Sequence, residues 1–168
     1  MKNIIFIHGL ESSSQGFKSQ LLRKIFPECL TPNFEQYTPH FSIKLLLEKR
    51  MSQLSKILDK KNSWTIIGSS FGGLMGVLYT CNHPQRVKKL ILLAPYLSTP
   101  LLNPKKVIPT YVPVIIYHGT LDNVVSMKKS RMRAQKLFKN LTYNIVDDDH
   151  KLQKTTKNIN WKKIVLNS

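Results

Sequence analysis

Cysteine is scarce: Cys29 and Cys81 are the only two in 168 residues, far apart and in no CxxC pair. That excludes a disulfide framework and a thioredoxin-like motif, and leaves two free thiols, buried or half-buried, suited to a reducing compartment. Long apolar runs are also missing. Nothing approaches the roughly 18 residues of a membrane-spanning helix. The run Ile4-Ile5-Phe6-Ile7 near the start is shorter than a signal-peptide core, and no small-residue cleavage site follows it. The expected location is cytoplasmic. There is no internal repeat, low-complexity tract or linker, so residues 1–168 are read as one domain.

Acidic residues are few. Nine Asp and Glu face 26 Lys and Arg, for a formal net charge of +17. Such a balance attracts nucleic acid, anionic membranes or anionic substrates. The densest basic stretches, residues 128–139 and 151–163, also carry a helical pattern, without aromatic interleaving or a nucleic-acid motif. They read as solvated helix faces, and no specific nucleic-acid partner is expected. A substrate bearing negative charge remains one use for the lysines, if part of the charge surrounds the site mouth.

Hydrophobic residues make up an ordinary 42%. Short apolar runs alternate with helical-period stretches, the pattern of βα units around a mostly parallel sheet with helices on both faces. Residues 3–7, 64–67, 90–93 and 113–117 are near-continuously apolar and rich in Ile, as strands covered on both faces should be. Residues 143–146 make one more strand, and 31–37 a poorer one because of Pro32, giving about six. Helices are predicted at Phe17 to Phe26, at Ile43 to Leu58 capped by Ser42, at Phe71 to Asn82, and over residues 124–138 and 152–165.

Four signals carry chemistry. Gly68-Ser69-Ser70-Phe71-Gly72 follows a strand and precedes a helix, the context of a G-x-S-x-G nucleophile elbow. Such a turn strains Ser70, exposes its hydroxyl, and leaves the Phe71 N–H free at a helix N-terminus. The alternative is a phosphate-binding turn, which lacks its usual lysine and glycine spacing here. His8-Gly9-Leu10 closes the first strand, where a backbone N–H can supply half an oxyanion hole; by position the donors are Leu10 and Phe71. His8 itself is read as shaping the turn, with no part in proton transfer.

The third signal is His118-Gly119-Thr120-Leu121-Asp122, a loop at the carboxyl edge of the sheet. Asp122 could be a helix N-cap. Among the acids, however, Glu11, Glu28, Glu35, Glu48 and Asp59 come early, and Asp147, Asp148 and Asp149 crowd the candidate base. The fourth signal is that base, His150, in the last edge loop. His40 sits in an early loop, His83 at the far end of a helix, and His118 beside Gly119. Three consecutive aspartates splay apart and lack a second histidine at ligand spacing, so no metal and no cofactor are expected.

Ser70, Asp122 and His150 occur in the chain order of α/β hydrolases, which the sequence resembles over nearly its whole length. More narrowly, Phe6-Ile7-His8-Gly9-Leu10-Glu11-Ser12-Ser13-Ser14 and the compact size resemble the small bacterial YqiA-type esterases. The resemblance implies a serine esterase acting on a small acyl ester: Ser70 nucleophile, His150 base, Asp122 acid, Leu10 and Phe71 oxyanion donors. A thioesterase would use the same groups. A binding module that kept the fold and a basic surface is the alternative of another class. No lid domain is expected; residues 95–112, with Leu97, Leu101, Leu102, Val107 and Ile108, are expected to form a low wall over the site.

Overall fold

The computed structural model describes residues 2–166. Five parallel strands form one sheet in the order β1-β2-β3-β4-β5: β1 Ile4–Ile7, β2 Trp64–Ser69, β3 Val87–Leu93, β4 Val114–Gly119 and β5 Leu141–Val146. Among the described residues six α-helices and one short 3-10 helix, Pro84–Arg86, accompany them: α1 Phe17–Ile25, α2 Ile43–Leu58, α3 Phe71–Asn82, α4 Met127–Leu137, α5 Gln153–Asn158 and α6 Trp161–Leu166. Among the described residues no helix is long and apolar enough to cross a membrane.

Successive strand residues point to opposite faces, and each face has its own core. Ile5, Ile7, Ile66, Leu90, Leu92, Val114 and Ile116 meet Leu54 and Leu58 of α2, Leu74 and Val77 of α3, and Ala134 and Leu137 of α4. Ile4, Phe6, Ile67, Ile91 and Leu93 meet Leu22 of α1 and Trp161 and Val165 of α6. The near-continuous apolar strands of the sequence are therefore buried on both sides. Cys29 and Cys81 are free and buried, one in each core.

The expected strand over 31–37 is absent. It shrinks to one parallel bridge between Leu30 and Ile5, with Leu30 N–H donating to Ile4 O and Phe6 N–H to Leu30 O. In a parallel ladder the next donor would be residue 32, which is Pro32 and has no N–H. The stub still directs the chain. From β1 the chain crosses outward through α1 to Leu30, then back over β1 through α2 to β2. Crossovers of one hand running in opposite directions place α1 and α2 on opposite faces. The direction changes at β1, and the carboxyl ends of strands at such a reversal form a crevice.

The predicted final helix is two. Ile159 ends α5, and the Asn160 side chain accepts from Lys163 N–H at 3.1 Å to cap α6. The predicted helix over 124–138 starts later, at Met127 behind its cap Ser126, because the preceding N–H groups are engaged by Asp122. The 95–112 segment is more core than wall: Leu97 and Leu102 are fully buried while Ile108 is exposed. Arg133 Nη1 holds the segment through the carbonyls of Leu97, Thr99 and Leu102.

Candidate active site

β2 runs into α3 with one residue between them. That residue, Ser70, has φ 52° and ψ −114°, a conformation that costs energy for a residue with a side chain. The surroundings enforce it: Ser70 N–H donates to Leu93 O at 3.0 Å, and Ser70 O accepts from Tyr96 N–H at 3.0 Å. The turn is possible because Gly72 has no side chain; a Cβ there would lie 2.1 Å from Ile7 O and 2.5 Å from His8 O.

Ser70 Oγ lies 3.0 Å from His150 Nε2, and His150 Nδ1 lies 2.8 Å from Asp122 Oδ2. The carboxylate is fully buried, and its other oxygen, Oδ1, accepts from Val124 N–H at 2.9 Å and Val125 N–H at 2.8 Å. Burial alone would raise the Asp122 pKa, but these N–H donors and His150 outweigh it and hold the carboxyl below its ordinary range. Asp122 is therefore an anion at neutral pH. Its ionised form favours folding above the ordinary carboxylate range, a contribution lost as pH falls through the lowered value.

A fourth group stands behind Asp122. His118 is completely buried, with Nε2 3.0 Å from Asp122 Oδ2 and Nδ1 2.8 Å from the Tyr143 hydroxyl. Burial lowers the His118 pKa, against the pull of Asp122. The ring is then neutral: Nε2–H donates to the carboxylate and Nδ1 accepts the tyrosine O–H. Asp122 Oδ2 thus serves two histidines. Sequence reasoning passed over His118. Its signal is the spacing, since a residue ending a strand four positions before the acid can reach back to it.

The neighbouring aspartates have other tasks. Asp148 Oδ2 accepts from Thr155 N–H and Oγ1, each at 2.8 Å. Asp149 Oδ1 accepts from Lys151 N–H at 2.8 Å, and Asp147 is exposed, with Lys154 Nζ at 3.8 Å. None is placed on His150. The loops of Asp122 and His150 are tied together: Thr120 N–H donates to Val146 O at 2.8 Å and Leu121 N–H to Asp148 O at 3.1 Å. Gly119 permits the approach, since a Cβ there would meet Asp148 O at 2.2 Å. Among the described residues no group of three or more His, Cys, Asp or Glu is placed to hold a metal ion.

The first loop closes the site on the other side. A Cβ on Gly9 would lie 3.6 Å from Ser70 Cβ, so this loop lies against the elbow. Among the described residues neither Leu10 N–H nor Phe71 N–H donates within the chain. His8 is buried; Nδ1 donates to Gly9 O at 2.8 Å and Nε2 accepts from Phe34 N–H at 3.3 Å, so both ring nitrogens are occupied by backbone. A cleft of about 770 Å³ extends from here, between Leu10, Glu11, Ser12 and Ser13 on one side and Asn33, Gln36 and Tyr37 on the other. His40 is exposed in its loop, and His83 packs against Tyr79, away from these groups.

Comparison with known proteins bears on the same elements. The serine hydrolase from Cycloclasticus zankles superposes with a TM-score of 0.78 at 13% identity, over 99% of this chain and 90% of that one. Est1E from Butyrivibrio proteoclasticus, in a structure with bound ferulic acid, gives 0.75 at 19% identity, over 99% and 88%. The Bacillus cereus carboxylesterase gives 0.68 at 16% identity, over 93% and 86%. At these identities the likeness is one of fold. No curated protein matches the sequence. The family profile described as alpha/beta hydrolase fold matches residues 2–110, a span that runs from β1 through the Ser70 turn to beyond β3. With the parallel sheet and its strained turn between β2 and α3, that match means the chain belongs to the α/β hydrolase family.

Proposed function

We propose that the protein is a serine hydrolase that cleaves carboxylic esters through an acyl-enzyme. The observation that carries this reading is the continuous hydrogen-bonded line from Ser70 Oγ through His150 to the buried Asp122. Ser70 Oγ attacks the ester carbonyl carbon as its proton passes to His150 Nε2. The carbonyl oxygen becomes an anion facing the Leu10 and Phe71 N–H groups. The intermediate collapses, the C–O bond breaks, and the leaving alcohol takes the proton from His150. Water then attacks the acyl-serine carbonyl and gives a proton to His150, which returns it to Ser70 Oγ as the acid leaves. Asp122 fixes the tautomer and stabilises the imidazolium throughout. The same steps serve a thioester.

The first loop's likeness to YqiA-type esterases supports the ester reading. The cleft beside Leu10 carries one carboxylate, Glu11, amid neutral polar groups, with no Lys or Arg among its lining residues. It suits a polar, uncharged substrate group better than an anion.

A fluorophosphonate probe tests the reading without knowledge of the substrate. It reacts well with a serine that has both a base and donors for the developing oxyanion. We expect one adduct per chain, on the peptide carrying Gly68 to Gly72, and none in His150→Ala. A folded wild-type protein that stays unlabelled would overturn the proposal.

The assignment of the acid has its own test. Asp122→Asn should lower kcat by about 10⁴-fold, because an amide can neither hold the required tautomer nor stabilise the imidazolium. Asp148→Asn should leave kcat near wild type and lower Tm instead, since it weakens the Thr155 contacts at the start of α5. The reverse ranking would place the acid among residues 147–149.

A further inference from the structure

Arg50 occupies a position where a leucine would be expected. α2 buries Leu46, Leu47, Leu54 and Leu58, and Arg50 falls in the same stripe with no exposed surface. A guanidinium keeps its proton in proteins, and taking it out of water is costly unless its donors and charge are answered. Among the described residues no carboxylate lies within 4 Å of it: Glu35, whose charge acts on it from farther away, has its carboxylate 3.7 Å from Lys49. Its donors go instead to backbone carbonyls. Nε donates to Glu35 O at 2.8 Å, Nη2 to Leu10 O at 2.9 Å and Nη1 to Gly9 O at 3.4 Å. The guanidinium carbon also lies 5.4 Å from the centre of the Phe71 ring.

These contacts converge on the two residues whose N–H groups face the reacting carbonyl. Gly9 O and Leu10 N belong to one peptide group. A donor drawing on that oxygen fixes the plane of the peptide and makes its N–H a stronger donor. His8 Nδ1 supports the same oxygen from another direction. Phe71, beneath the guanidinium, carries the second N–H.

We propose that Arg50 is a positioning residue for the oxyanion hole, orienting and polarising the Gly9–Leu10 peptide and seating Phe71, with its positive charge, held in no close ion pair, favouring the oxyanion. The inference rests on the serine-hydrolase reading above. Because the oxyanion forms only on the way to the tetrahedral intermediate, loss of Arg50 should act on kcat and leave KM nearly alone.

The test compares a p-nitrophenyl ester with its thiono counterpart, in which C=S replaces C=O. Sulfur accepts hydrogen bonds poorly, so the oxygen-to-thiono rate ratio reports on the hole. The ratio is taken within one preparation, so a loss of folded enzyme cancels. In Arg50→Met we expect kcat for the oxygen ester to fall about 30-fold with KM within about twofold, less than deleting a donor outright, and the ratio to shrink about tenfold. Arg50→Lys should recover part of both. If Arg50→Met does not fold, Arg50→Gln and Arg50→Lys are read the same way. A ratio equal to that of an active wild type, in any folded Arg50 variant lacking the guanidinium, overturns the proposal and reduces Arg50 to a staple between α2 and the first loop. A wild-type enzyme without turnover or fluorophosphonate labelling overturns the serine-hydrolase reading and this inference with it.

Discussion

Ser70→Ala should abolish ester hydrolysis, with kcat falling about 10⁶-fold, while circular dichroism and Tm stay at or above wild type. The magnitude follows from removal of the only atom that forms the covalent bond. Without it the remaining groups offer binding and oxyanion stabilisation to a direct attack by water, which is a far weaker route. The fold should not suffer, because the Ser70 backbone makes the contacts that hold the turn, to Leu93 and Tyr96, and the hydroxyl only meets His150. Ser69→Ala is the control one residue away. Ser69 ends β2, buried in register with Leu93, and should alter turnover by less than tenfold or so. Turnover near wild type in Ser70→Ala would remove the elbow from the mechanism.

His150→Ala should be nearly as severe, about 10⁶-fold in kcat, because nucleophile and base act as a unit. Added imidazole should restore part of the rate in this variant and none in Ser70→Ala, since a small base can enter the vacated space but cannot replace the nucleophile. The side chain is part-exposed, at 19%, so the space is open to solvent. His40→Ala and His83→Ala should be near neutral. His118→Ala should fall between them: it reaches the site only through Asp122 and would strand the Tyr143 hydroxyl. Equal losses at His150, His40 and His83 would mean that folding, not base catalysis, had been measured.

Much of this arrangement can be read from the chain alone. Ser70, Asp122 and His150 are each fixed by a local rule: a glycine-flanked serine between strand and helix, and two polar residues in loops after strands. A parallel sheet brings all such loops to one edge, so local signals add up to a site. The extent of elements is less legible where one residue vetoes a pattern. Pro32 stops a ladder that begins at Leu30, and Asn160 divides a continuous helical period. Arg50 and His118 were hidden for a different reason. Each acts through distant backbone or a buried carboxylate, and single-sequence patterns record face and period, not partners. The trace of Arg50 was nevertheless present as a charge within the apolar stripe of α2, where a solvated arginine has no place.

The bonds between residues 120–121 and 146–148 tie the loops of Asp122 and His150 directly to each other, while Ser70 joins them through the sheet by way of Leu93 and Tyr117. The His150–Asp122 contact is thus made within one locally bonded pair of loops, and the contact between Oγ and Nε2 is the step of the line that crosses from this pair to the elbow. Redesign of the outer helices should therefore be tolerated as long as these two parts of the sheet edge stay in register. A graft of the Asp122 loop into another scaffold should carry the His150 loop with it.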